Sequence, residues 1–146
     1  TYDVPYERVE FDEILAQSDI LSIHAPLNQN TENLMNKAAF EKMKNSAILI
    51  NVGRGPIVND ADLVAAFNEN QIAAAGLDVL APEPVKEDNI VVKAMKNDGE
   101  LAEKIVLAPH IGGLTVQTFD KIYGTIWSNF KKVCAGETPV NIVNHP

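Results

Sequence analysis

The chain has a single cysteine, Cys134, among its 146 residues. It therefore closes no internal disulfide, and no Cys-x-x-Cys or Cys/His spacing suited to a metal is present. That usage fits a reducing compartment, so a cytoplasmic protein is expected. Long apolar runs are also missing. Stretches such as residues 47–50 fall far short of the roughly 18 residues a membrane helix needs, and the opening ten residues are too polar and acidic for a signal peptide. No membrane partner is expected. Basic side chains are in the minority, 12 Lys and Arg against 20 Asp and Glu, giving a net charge of −8 and a pI near 4.8. Such a field repels phosphate backbones, which makes nucleic acid a poor partner. Internal repeats and low-complexity tracts are absent as well. What is present is ordinary for a soluble domain: 46% hydrophobic and 22% charged residues, in a chain long enough to bury about 68 to 70% of its unfolded surface.

Four short runs rich in Ile, Val, Leu and Ala read as strands: residues 19–25, 47–53, 73–80 and 104–108. Their apolar character is nearly continuous, the pattern of a parallel sheet covered on both faces. Helical spacing separates them. Residues 11–17 carry Ile14 and Leu15; residues 36–44 carry Ala39, Phe40 and Met43; residues 60–68 carry Leu63, Ala66 and Phe67 behind Asn59 as N-cap. The alternation predicts crossover units with helices on both sides of a mostly parallel sheet. Residues 81–103 turn polar, with Pro82 and Pro84, and read as a surface excursion. A last helix runs from Thr115 as N-cap to a stop at Gly136, with Phe119, Ile122, Tyr123, Ile126, Trp127, Phe130 and Val133 on one stripe. That stripe is expected to serve packing, in a core or an interface.

In an open parallel sheet, ligands bind at the carboxyl ends of the strands. The residues that follow each run are His24-Ala25-Pro26, then Asn51-Val52-Gly53-Arg54-Gly55, then Asp78 with Pro82-Glu83-Pro84, then Pro109-His110-Ile111-Gly112-Gly113. Arg54 stands between two glycines with its guanidinium open, which suits bidentate capture of a carboxylate; a surface arginine in a turn is the other reading. Glu83 and His110 leave neighbouring strand ends. They form an acid/base dyad if they meet, since a carboxylate fixes the ring's tautomer and favours the imidazolium as proton donor; otherwise they are two rim residues. Asp78 ends a strand of small residues that a planar ring can approach closely. His24 reads more readily as structural than as catalytic, His145 reads as tail, and Cys134 as a small apolar residue.

Taken together, Ser22-Ile23-His24-Ala25-Pro26-Leu27, the Asn-rich residues 28–34, Asn51-Val52-Gly53-Arg54-Gly55, Gly76-Leu77-Asp78-Val79, Pro82-Glu83-Pro84 and Pro109-His110-Ile111-Gly112-Gly113 resemble the D-isomer-specific 2-hydroxyacid dehydrogenases over nearly the whole chain. The resemblance implies an NAD-dependent oxidoreductase in which Arg54 binds the carboxylate of a small 2-keto acid, His110 protonates the carbonyl oxygen and Glu83 supports His110. It further implies that Asp78 holds the nicotinamide carboxamide. His24, Ala25, Pro26, Asn51, Val52, Gly53, Gly112 and Gly113 would line the dinucleotide, Thr31 would add a hydroxyl, and Asp3 would meet the adenosine ribose. Residues 23–27 with the Asn-rich stretch look most like the glycerate dehydrogenase and hydroxypyruvate reductase branch, and glutamate in place of glutamine at position 83 speaks against the formate-oxidising relatives.

The family's G-x-G-x-x-G turn, which cradles the pyrophosphate at a helix N-terminus, occurs nowhere in these residues. The implied fold is a single α/β domain, a partial Rossmann-type, mostly parallel sheet with flanking helices that lacks the first βα unit. Residues 1–146 then form the second half of a dinucleotide-binding domain, inactive when isolated. In the strand order 3-2-1-4-5-6, the run at 19–25 is counted as third and the run at 47–53 as fourth. A gap should open between them, closed by re-pairing or by strand and helix exchange in a homodimer. Two other classes stay open: a non-catalytic NAD-binding regulatory protein, and an assembly module that complements a polypeptide carrying the glycine turn.

Overall fold

The computed structural model describes residues 6–142. Four parallel strands, β1 (Ile20–Ile23), β2 (Ile48–Asn51), β3 (Ala74–Leu77) and β4 (Ile105–Leu107), lie side by side in chain order. In register, Leu21, Leu49, Ala75 and Ile105 form one row across the sheet, and all four are buried. The intervening helices are α1 (Phe11–Gln17), α2 (Lys37–Phe40), α3 (Asp60–Asn68), α4 (Ile90–Asn97) and α5 (Gly99–Lys104). Their apolar residues Leu15, Phe40, Leu63, Val91 and Leu101 join that row in one continuous core.

Two expectations are corrected here. The strands at 19–25 and 47–53 pair directly, the neighbouring placement that re-pairing would also give, so there is no gap and strand exchange is not needed to close the sheet. A sequential order β1-β2-β3-β4 belongs to the side of a doubly wound sheet that advances in one direction; the first strand here should be counted as the fourth of the parent order, not the third. The same geometry explains why the helices do not cover both faces. Right-handed crossovers between strands that step in one direction place every helix on one side, and cover for the other face requires a reversal of order. Accordingly Ile20 and Val106, which point away from the shared core, are 64% and 70% exposed.

Residues 81–103 are also more ordered than a surface excursion. Asn89 caps α4 through its side chain, which accepts from the Val91 and Val92 amides, and Asp98 caps α5 by accepting from Glu100 and Leu101. Both are N-cap residues in front of a helical run, a signal overshadowed by the prolines and charges around them. The helix expected over 36–44 is a single turn from the Asn36 cap.

The described residues divide into two compact units, the first ending at His110 and the second beginning at Ile111. The second is built on α6 (Val116–Cys134), capped by the Thr115 hydroxyl, which accepts from the Thr118 amide, and followed by Gly136 at φ 75°. Asn129 ties the following segment back, donating to Val140 O at 3.0 Å and accepting from its amide at 2.9 Å. No residue of α6 is buried; Phe119, Tyr123, Trp127 and Phe130 are all exposed. Among the described residues no helix is long and apolar enough to cross a membrane.

Candidate functional site

The carboxyl ends of β2, β3 and β4 are stitched together beyond the strands themselves. The Asp78 amide donates to Asn51 O at 3.0 Å, the Ala108 amide to Leu77 O at 2.9 Å, and the His110 amide to Asp78 O at 2.8 Å. These bonds carry the ladder past the last strand residues. His110 there has a φ of 57°, a left-handed conformation uncommon for a residue with a side chain, though histidine tolerates it better than most.

From that position the His110 ring meets Glu83: Nδ1 lies 2.7 Å from Oε2. A carboxylate only accepts, so Nδ1 is the donor and Nε2 is the ring atom left to face a ligand. Both side chains are about two-fifths exposed, which keeps the pair accessible. Asp78, Glu83 and His110 line one cavity of about 280 Å³ with Pro84, Val85 and Pro109. Asp78 itself is buried just past the end of β3.

One strand away, Asn51 is almost fully buried, at 1% exposure. Its amide oxygen accepts from the Gly53 N–H at 3.0 Å and its Nδ2 donates to Arg54 O at 3.1 Å. Asn51 thus shapes the turn from within. Gly53 is required by close approach, because a Cβ there would stand 2.9 Å from Ala25 O. Arg54 emerges exposed from this turn, with Nη1 donating to Gly53 O at 2.7 Å. That single internal bond leaves most of its guanidinium donors for a ligand.

On the far side, Val52 is exposed beside the turn, and the Pro26 carbonyl accepts from the Thr31 hydroxyl at 2.7 Å. The Thr31 oxygen also accepts from the Asn28 amide at 2.8 Å, so this hydroxyl closes the loop after β1. His24 turns to Ser22, Nε2 to Oγ at 2.9 Å, on the exposed face of β1. Gly112 and Gly113 fall in the second unit, where Gly113 O accepts from the Thr115 amide. Asp3 lies outside the described residues.

Sequence reasoning missed two supporting residues. Asn89 Nδ2 donates to Asp60 Oδ2 at 2.7 Å and to Ala81 O at 3.1 Å, just ahead of Glu83. Burial pushes the Asp60 carboxyl above its ordinary value, with the Asn89 hydrogen bond opposing that rise. An Asn before Ile-Val-Val signals a cap, but nothing in the sequence says where its second group reaches.

The residues present fit the nicotinamide side of a dinucleotide: a buried carboxylate at the end of a strand of small residues, an open acid/base pair beside it, and a backbone turn too tight for a Cβ. They include no glycine-rich turn for a pyrophosphate.

Comparison with known proteins identifies the family. Residues 1–112 match the family described as D-isomer specific 2-hydroxyacid dehydrogenase, NAD binding domain. A hydroxypyruvate reductase of Blautia hydrogenotrophica is 38% identical over 136 residues, 93% of this chain and 39% of that protein. A glyoxylate reductase of Thermofilum pendens is 38% identical over 94% of this chain and 38% of its own length. Among solved structures, D-lactate dehydrogenase with NAD+ from Lactobacillus jensenii superposes with a TM-score of 0.82 at 32% identity, over 99% of this chain and 47% of that one. The chain spans about two-fifths of the length of the curated relatives it matches.

Proposed function

The chain belongs to the D-isomer specific 2-hydroxyacid dehydrogenases, whose NAD-binding domain it matches, and we propose that it forms the nicotinamide-side half of an enzyme that reduces a 2-keto acid to its D-2-hydroxy acid. The observation that carries this reading is the 2.7 Å contact between His110 Nδ1 and Glu83 Oε2 beside Asp78. Hydroxypyruvate is the favoured substrate, in line with the relatives named for hydroxypyruvate and glyoxylate reduction.

In this reading Arg54 pairs with the substrate carboxylate through the guanidinium donors that Gly53 O leaves open and fixes the keto carbon in place. Reduced nicotinamide, when bound, supplies the hydride that adds to that carbon. His110 delivers the Nε2 proton to the carbonyl oxygen as charge develops there. The Glu83 carboxylate holds the Nδ1 proton, so the ring stays oriented through the transfer. Asp78 would hold the carboxamide of the ring, and Ala25, Pro26, Val52 and Gly53 would line the dinucleotide. Keto acid, hydride and proton together give the hydroxy acid, so the step balances.

The 146 residues alone are read as inactive, because the pyrophosphate has no cradle among them, and as cytoplasmic. A second copy is read as the cover for the exposed stripe of α6; a strictly monomeric mass by light scattering would contradict that. The functional reading is tested by calorimetry with NADH and hydroxypyruvate, on this chain alone and mixed with a polypeptide carrying the glycine-rich turn. Binding and NADH oxidation only in the mixture are expected. Tight NADH binding by this chain alone would overturn the assignment of a half-site, and no turnover in a mixture that binds NADH would overturn the substrate class.

A further inference from the structure

We propose that Asn89 is a positioning residue that sets the Glu83–His110 pair by holding the Ala81 carbonyl in register with the turn that carries Arg54. This rests on the acid/base reading above and assigns to it a residue outside the site.

Asn89 uses every hydrogen-bonding position it has. Its Oδ1 accepts from the Val91 and Val92 amides at 2.9 and 3.3 Å, and its Nδ2 donates to Asp60 Oδ2 at 2.7 Å and Ala81 O at 3.1 Å. Capping α4 needs the oxygen alone, and Ser or Asp would cap about as well. Only an amide both caps and donates twice from the same group. The two donor bonds are therefore the part of Asn89 that a helix cap does not explain.

Those bonds join two segments of the site. Asp60 is the first residue of α3, which follows the short 3-10 turn Gly55–Ile57 directly after Arg54. Ala81 opens the Pro82-Glu83-Pro84 segment. The peptide just before that carbonyl, Leu80–Ala81, packs on Gly55, where a Cβ would stand 2.6 Å from Leu80 C and 2.7 Å from Ala81 N. Ala81 is thus held on both sides, at its amide by backbone packing against the residue next to Arg54 and at its carbonyl by the Asn89 side chain, itself anchored on Asp60. Glu83 itself is exposed and, among the described residues, its side chain bonds only His110, so its place depends on the backbone that runs on from Ala81. Asp60 keeps its carboxylate in a partly desolvated position at some cost, as an anchor for Asn89 would.

The test is side-chain NMR of the 15N-histidine-labelled chain, with the His110 ring assigned by its disappearance in His110→Gln. The wild type should show a proton held on Nδ1. Asn89→Ser keeps the cap, reported by the Val91 and Val92 amides, and should lose that Nδ1 signature. Asp60→Asn, which still offers Asn89 an acceptor, should keep it. An unchanged His110 ring in Asn89→Ser would overturn the proposal. If Asn89→Ser does not fold, Asn89→Asp, a cap without amide donors, answers the same question. A wild-type ring without the Nδ1 proton would instead overturn the acid/base reading, so the two failures are distinct. Neither result depends on turnover, and a residue that only caps α4 would leave the ring unmoved.

Discussion

Glu83 Oε2 and His110 Nδ1 lie 2.7 Å apart although 27 residues separate them in the chain. The contact exists because β3 and β4 are parallel neighbours, so their carboxyl ends open on the same edge. His110 leaves the end of β4 with its amide tied to Asp78 O, and Glu83 returns over that edge from the end of β3. A parallel sheet brings distant residues together at one rim without any direct sequence signal, and chemistry gathers there.

Arg54→Lys keeps the charge and loses the planar fork. In an assembly that turns over, it should lower kcat/KM for the keto acid by roughly ten- to a hundredfold, the scale of a charge-assisted bond of about 1.5–3 kcal/mol. Steady-state kinetics with hydroxypyruvate checks this. An unchanged kcat/KM would remove Arg54 from the substrate's carboxylate.

Gly55→Ala forces a Cβ into the Leu80–Ala81 backbone. Urea unfolding should show a loss of about 1–3 kcal/mol, the usual range for overpacking. Gly99→Ala, at the start of α5 with nothing within 4 Å of the added carbon, should instead leave stability unchanged or raise it by up to about 1 kcal/mol. Equal effects at the two glycines would contradict the close approach.

Asp60→Asn should change the pH dependence of stability. Burial raises the folded carboxyl above its ordinary 3.8, so the contribution of the protonated form is complete below that value and is lost as pH rises through the folded value. Asparagine carries no such charge. Its effect relative to the wild type should therefore be more favourable at neutral pH than near about pH 3. Unfolding curves at the two pH values measure this, and a difference that ran the other way would contradict the desolvated carboxylate.

Much of this fold is legible in the sequence. The four apolar runs are the four strands, and Asn59, Thr115 and Gly136 mark helix ends because caps and left-handed stops depend on local chemistry. Lateral order was not legible. Nothing in residues 19–25 distinguishes a third from a fourth strand of the parent sheet, and the whole expectation of a gap followed from that choice. The α4 and α5 helices were obscured because Pro82, Pro84 and the charged residues around them read as loop, and each helix buries a single residue, Val91 and Leu101. In the candidate site, Arg54, Glu83 and His110 were readable as residues that follow strands. The clasp of Asn89 on Ala81 was not, since it joins elements whose approach only the packed core determines.

The central claim, that His110 supplies the proton for reduction of a keto acid, is tested most directly by NADH oxidation with hydroxypyruvate in the assembly completed with a glycine-rich turn, comparing wild type, His110→Ala and Glu83→Gln. Loss of the general acid should cost about 10²- to 10⁴-fold in kcat, with Glu83→Gln losing less because the ring can still donate. Turnover unchanged by His110→Ala would contradict the account.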